Sequence, residues 1–193
     1  MSKKIIGIAG KKAAGKDLLG SYLVAAGYKR LAFGDIIRER VKRDFDLTEA
    51  QVNGRFKETP THYAKPGIHP PEDIHWTPRQ IMEAYGMFFR KFDEHYWIKQ
   101  LGNEIEATEK RHIVVTDVRL IAEAEYLKSL GAKLIRLERS EDERRAVYPD
   151  ANSQAITEIQ LDNYKGFDFV VPEEQNSIPD DLKNVAKELL TKL

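Results

Sequence analysis

Residues 5–9 are an apolar run that leads directly into Gly10-Lys11-Lys12-Ala13-Ala14-Gly15-Lys16-Asp17. The order is that of the phosphate-binding pattern G-x-x-x-x-G-K-[ST], which needs a strand before it and a helix after it. Glycines let the backbone fold tightly enough to turn its N–H groups towards phosphate oxygens. The lysine neutralises the β- and γ-phosphates, and the helix behind contributes the positive end of its dipole. Gly10, Gly15 and Lys16 supply these parts in order, with Lys11, Lys12, Ala13 and Ala14 as the cradle between them. The last position departs from the pattern. Asp17 stands where a Ser or Thr would give magnesium a neutral hydroxyl. A carboxylate is also a hard oxygen ligand that magnesium accepts, and its charge is favoured in a first helical turn. The competing reading is a plain strand–turn–helix with a surface lysine.

Beyond this loop, strand-like and helix-like segments alternate. Spacing of apolar residues predicts a helix over 16–26, a strand over 28–33, an arginine-rich helix over 36–45, helices over 77–89 and 96–108, and a central strand over 112–116. A helix over 120–130, a strand over 132–139, a charged helix over 141–148, a strand over 167–171 and a terminal helix over 179–193 follow. Short, β-branched strands separated by helices indicate an α/β protein with a parallel sheet covered on both faces. The stretch 59–78 breaks the pattern, holding five of the eight prolines and three of the five histidines, His62, His69 and His75. No continuous helix or central strand runs through it, so it reads as a lid-like loop. Its histidines lack metal-ligand spacing.

In such a sheet, ligands bind beyond the C-terminal ends of the strands. Asp117 ends the 112–116 strand, and Arg119 follows two residues later. A carboxylate there can hold magnesium through water or orient an attacking oxygen, and a guanidinium can fork onto phosphate. Glu123 lies four residues past Arg119; a structural ion pair at a strand–helix junction is the bland alternative. Arg38 and Lys42 share a helix face, and Arg79 and Arg90 flank the aromatic stretch "YGMFFRKFDEHYWI". A guanidinium suits a monophosphate and an aromatic face suits a base, although aromatics at this spacing are more often core. Arg136, Arg139, Arg144 and Arg145 crowd the end of the fourth strand.

A chain of 193 residues with 41% apolar and 32% charged content is a globular domain rather than a disordered segment. Acids and bases balance at 31 each, so no global charge draws it to nucleic acid or an anionic membrane. No apolar run reaches a membrane span, and the N-terminal lysines lead into a loop, not a signal peptide. With no cysteine, disulfides and thiolate metal sites are excluded. The expected location is the cytoplasm.

These motifs together resemble the phage-type deoxynucleoside monophosphate kinases, a branch of the P-loop kinases, over most of the chain. "GIAGKKAAGKD" is similar to that family's first loop, which ends in GKD, so Asp17 is a family variant of the pattern. "LAFGDIIRE" with Arg38, "FKET" with Lys57, "TPRQIMEAYG" with Arg79, and "VVTDVRLIAEAEYLKSLGAKLIRLER" with Asp117, Arg119, Glu123 and Arg139 resemble further family blocks. Two blocks differ. The family's His-x-Ser-Glu stretch is "QAITEIQLDN" here, with Glu158 retained, and the Asn that follows its last strand is replaced around "VVPEEQN".

The resemblance implies one P-loop kinase domain, 1–193, with a five-stranded parallel sheet sandwiched by helices. It implies a helical nucleoside-monophosphate-binding insertion over 35–95 and a lid-like segment over 139–160. The implied reaction is ATP-dependent phosphorylation of a deoxynucleoside 5'-monophosphate to the diphosphate, with ATP and Mg2+ as cofactors. Gly10 to Lys16 and Arg144 would bind ATP, and Asp17 and Asp117 the metal. Lys16, Asp117, Arg119 and Arg139 would carry catalysis. Arg38, Lys57, Arg79, Arg90, Arg119 and Glu123 would bind the acceptor. The implied partner is a small molecule, without nucleic acid or membrane; a homodimer is left open. The location would be the host cytoplasm if the protein is phage-encoded. GKD also occurs in animal-type phosphomevalonate kinases, so a kinase of another phosphorylated acceptor, such as phosphomevalonate or dephospho-coenzyme A, stays open. So does a non-catalytic nucleotide-binding module.

Overall fold

The computed structural model describes residues 3–66, 74–147, 156–176 and 179–192. The elements in chain order are β1 (Lys4–Gly10), α1 (Lys16–Ala25), β2 (Lys29–Leu31), α2 (Phe33–Asp44), α3 (Glu49–Val52), α4 (Pro78–Phe92) and α5 (Tyr96–Ala107). They continue with β3 (His112–Val118), α6 (Ile121–Ser129), β4 (Lys133–Leu137), α7 (Glu141–Val147), α8 (Ile156–Ile159), β5 (Phe169–Val171), a 3-10 turn at Glu173–Gln175, and α9 (Pro179–Lys192). The chain divides into two compact units, 1–33 with 101–193, and 34–100.

The first unit is built on a five-stranded parallel sheet of order β2-β3-β1-β4-β5. The middle strand is therefore β1, and not the 112–116 segment that its apolar run suggested. Residues 5–9 of β1 are all buried, because neighbouring strands flank it and helices cover both faces. Ile6 and Ile8 pack with Leu19 and Leu23 of α1 and with Leu182, Val185 and Leu189 of α9. Gly7 faces the other way, where a Cβ would stand 2.6 Å from Leu134 Cδ2 and 3.1 Å from Leu127 Cδ1, so α6 lies close on that side. A second close approach sets α1 against β3: a Cβ on Gly20 would lie 2.5 Å from Thr116 Cγ2.

The second unit has its own core of Val41, Leu47, Val52 and Ile81, with Phe45, Tyr63, Trp76 and Tyr85 packed against it. Thr77 caps α4, accepting from the Gln80 N–H, with Pro78 at the first helical position. The aromatic stretch divides. Tyr85, Phe89, Tyr96 and Trp97 lie ring against ring, and the Trp97 Nε1–H donates to the Gly86 carbonyl at 2.9 Å. Met87, Phe88 and Phe92 are exposed.

Three expectations change. The second strand is shorter than 28–33 and α2 begins at Phe33, because the Asp117 carboxylate accepts from the Phe33 N–H at 2.9 Å and satisfies a donor that a helix start leaves open. The short helices α3 and α8 carry too few residues to show a period. The proline-rich stretch is not open loop at its ends. The Thr61 N–H donates to Trp76 O at 2.8 Å, the Trp76 N–H to Tyr63 O at 2.8 Å and the Lys65 N–H to Ile74 O at 3.0 Å, around an antiparallel bridge between Ala64 and His75. Its middle, 67–73 with His69, lies outside the described residues, as does 148–155 of the lid-like segment.

Candidate active site

The strand-to-helix turn between β1 and α1 has the backbone of an anion cradle. Gly10 and Gly15 have positive φ, 151° and 91°, and so has Ala13 at 66°. At Gly10 a Cβ would come within 2.8 Å of the Leu137 carbonyl, and at Gly15 within 2.7 Å of Leu182 Cδ1. Neither position admits a side chain, so both glycines are set by sterics as well as by φ.

Lys16 is folded back into this loop. Its Nζ donates to Gly10 O at 2.6 Å and Lys11 O at 2.7 Å, and the residue is 8% exposed. Burial, with Arg119 nearby, pushes its pKa down from 10.5 to about 8, against the pull of Glu158, Asp17 and Asp117. Asp17 follows in the first turn of α1 with a fully open carboxylate, 3.9 Å from Arg30 Nη2. The Ala14 N–H donates to Lys11 O at 3.1 Å, which closes the turn.

The neighbouring strand ends carry the other candidates of this unit. Asp117 lies within β3, on the strand hydrogen-bonded to β1. The Arg119 guanidinium pairs with Glu158 of α8. The Glu123 carboxylate accepts from the Arg119 N–H at 2.9 Å and the Leu120 N–H at 3.1 Å, at 2% exposure. It caps α6 and fixes the main chain of Arg119. The Lys12 N–H donates to Glu158 Oε2 at 2.7 Å, and Lys11 Nζ is 3.0 Å from Asp162 Oδ2. Arg139 Nη1 donates to Ala13 O at 3.4 Å; its buried Nε makes no hydrogen bond, with Glu143 Oε2 at 3.6 Å. Arg144 is buried and its Nε donates to Arg139 O at 3.2 Å. Arg145 is exposed and pairs with Glu141, and Arg136 holds Asp162 at 3.0 Å. Of the arginine crowd, Arg139 reaches the loop directly, Arg144 is fastened to Arg139, Arg136 shares Asp162 with Lys11, and Arg145 points to Glu141.

The remaining candidates belong to the second unit. Arg38 pairs with Asp35, and its buried Nε has no hydrogen-bond partner. Arg79 pairs with Glu58, and its N–H donates to Lys57 O at 3.0 Å. Arg90 is half-buried in the last turn of α4.

A family model for deoxynucleotide monophosphate kinase matches residues 43–184. The chain belongs to the deoxynucleotide monophosphate kinase family. A protein of Acanthamoeba polyphaga mimivirus that carries this name provisionally is 26% identical over 178 residues, 86% of each chain. TT1252 from Thermus thermophilus superposes with a TM-score of 0.57 at 16% identity, covering 100% of this chain and 99% of that one. The dephospho-CoA kinase from Campylobacter jejuni gives 0.50 at 13%, covering 98% and 97%. At such identities the likeness is one of fold, and the fold is that of the P-loop kinases.

A P-loop kinase fold implies ATP, usually with Mg2+. The donor set fits the metal. Asp17 and Asp117 are hard oxygen donors, and magnesium takes one or two carboxylates and keeps its waters. No group of three or more metal-ligating side chains occurs among the described residues. Nor is any helix among them long and apolar enough to cross a membrane.

Sequence reasoning missed Asn176. It is 3% exposed, and its Nδ2 donates to Ala14 O at 2.9 Å and Glu138 O at 2.7 Å. An asparagine does follow the last strand, five residues on, and it braces the loop from behind. Only the fold brings positions 14, 138 and 176 together. Asp162 is legible only in the fold for the same reason, whereas Glu158 stands out in the sequence by its match to the family.

Proposed function

We propose that this kinase transfers the γ-phosphoryl group of ATP to a deoxynucleoside 5'-monophosphate, giving ADP and the deoxynucleoside diphosphate. The observation that carries the reading is Lys16, a buried ammonium held on the Gly10 and Lys11 carbonyls inside a phosphate loop. Its ammonium hydrogen-bonds to neutral carbonyl oxygens. Triphosphate offers it oxygens in place of the two carbonyls and restores the full charge that burial opposes. Family membership supports the acceptor class.

Phosphoryl transfer asks little covalent chemistry of the protein. It asks for in-line placement and neutralisation of charge. The loop N–H groups other than those of Lys12 and Ala14, which bond within the protein, cradle the donor phosphates, and Lys16 bridges β and γ. Asp17, with Asp117 through water, would hold magnesium, which would draw charge from the phosphoryl oxygens. Arg139 and Arg144 cover the donor side. Arg119 holds the phosphoryl group or the acceptor phosphate, with Glu123 fixing its main chain. Arg38, Lys57, Arg79 and Arg90, in the insertion 35–95, take the acceptor monophosphate. The protein works on a small molecule in the cytoplasm, that of the host if it is phage-encoded.

The test is ADP formation from Mg-ATP with dGMP, dTMP, dCMP, dAMP, their ribose counterparts and phosphomevalonate. Turnover with a deoxynucleotide, and little without acceptor, is the expected outcome. Turnover with phosphomevalonate alone, or with nothing, overturns the reading.

A further inference from the structure

We propose that Glu158 is a positioning residue that ties the phosphate loop to Arg119, so that one carboxylate sets the donor cradle and the guanidinium beside it in register. The inference rests on the kinase reading above. The two oxygens of Glu158 divide the work. Oε2 accepts from the Lys12 N–H at 2.7 Å, and Oε1 pairs with the Arg119 guanidinium. The side chain is 8% exposed, so both contacts are shielded from water and charge-assisted.

The placement has independent support. The turn after α8 is fastened to the same loop and to β4, with Asp162 on Lys11 at 3.0 Å and on Arg136 at 3.0 Å, and Arg136 Nη1 donating to Leu161 O at 2.7 Å. Glu158 therefore reaches the loop from an anchored backbone. Arg119 is held twice, its main chain by Glu123 and its guanidinium by Glu158. A guanidinium has five N–H donors, so one shared with Glu158 leaves others for a phosphoryl oxygen. Glutamine keeps the shape but has a single acceptor oxygen, and its NH2 would face one of the two donors. Aspartate keeps the charge but is one methylene short of spanning both.

Three measurements test this with the full chain. The first is the Lys12 amide resonance of the ligand-free protein, which reports the clamp whether or not any acceptor is turned over. Glu158→Gln is expected to shift it and speed its exchange; an unchanged resonance overturns the proposal. The second is the split between kcat and KM. Glu158→Gln and Glu158→Asp are each expected to lower kcat about ten-fold, with the KM for ATP within about three-fold. A lower Tm with normal kcat means a structural role only, and a lower KM with normal kcat means that the carboxylate merely occupies phosphate positions; either result overturns it. The third is Glu158→Gln combined with Arg119→Lys. Loss no greater than in Arg119→Lys alone is expected, because Glu158 acts through Arg119, and additive losses overturn it. If the wild type phosphorylates no acceptor, the kinase reading fails by itself, and the Lys12 amide decides whether the clamp exists.

Discussion

The Asn176 side chain donates to the Ala14 carbonyl oxygen at 2.9 Å, joining the segment after β5 to the floor of the phosphate loop. Its second acceptor, Glu138 O at 2.7 Å, lies just past β4. Both bonds are made by one amide group, which is why the residue must be a double donor. Asn176→Ala leaves buried acceptors unpaired and should cost about 1–3 kcal/mol. Asn176→Asp, which sets a carboxylate against two carbonyls, should cost more. Urea denaturation of the two variants checks the order; equal stability of Asn176→Asp and wild type would contradict it.

Lys16 predicts a pH dependence with a definite sign. Its pKa is lowered from 10.5 to about 8 by burial first and Arg119 second. Triphosphate needs the ammonium form, so ATP affinity should fall as the pH rises above about 8, with one proton taken up per ATP bound there. Calorimetry in buffers of different ionisation enthalpy reads that proton. Stability runs the other way. The cost of the buried charge is fully present below pH 8 and shrinks between 8 and 10.5, so over that window the wild type gains on Lys16→Met. Lys16→Ala should lower kcat about a hundred-fold or more.

Asp17 separates a metal role from a charge role. Its carboxylate is open and makes no close contact beyond Arg30 at 3.9 Å. Asp17→Ser restores the commoner hydroxyl ligand and should retain activity. Asp17→Ala should raise the magnesium concentration needed for half-maximal rate. Loss of activity in Asp17→Ser with ATP affinity intact would assign the residue another task.

Gly20 and Thr116 form a steric pair that a double variant can test. Alanine is the better helix former by about 1 kcal/mol, yet a Cβ at Gly20 would sit 2.5 Å from Thr116 Cγ2. Gly20→Ala should therefore destabilise by about 1–3 kcal/mol through overpacking. Thr116→Ser removes the offending methyl, and the next atom, Thr116 Cβ, is at 3.7 Å. The double variant should be more stable than Gly20→Ala alone. Additive losses in thermal denaturation would refute the contact.

The sequence by itself determined the strand–loop–helix at 5–26 and the parallel α/β class, and it singled out Lys16, Asp117 and Arg119 as candidates. These follow from local rules. A strand buried on both faces is apolar throughout, as residues 5–9 of β1 are, and Gly10 and Gly15 stand where φ is positive. The tertiary structure alone decided the order of the strands, with β1 in the middle, and the partners of the site. Asp117 on Phe33, Asn176 on Ala14 and Glu158 on both Lys12 and Arg119 span 84, 162, 146 and 39 positions. No periodicity reaches across such distances. A hydrogen bond between remote residues is selected when packing has already brought the two backbones together, so its partners become legible only once the sheet has fixed which strand ends are neighbours.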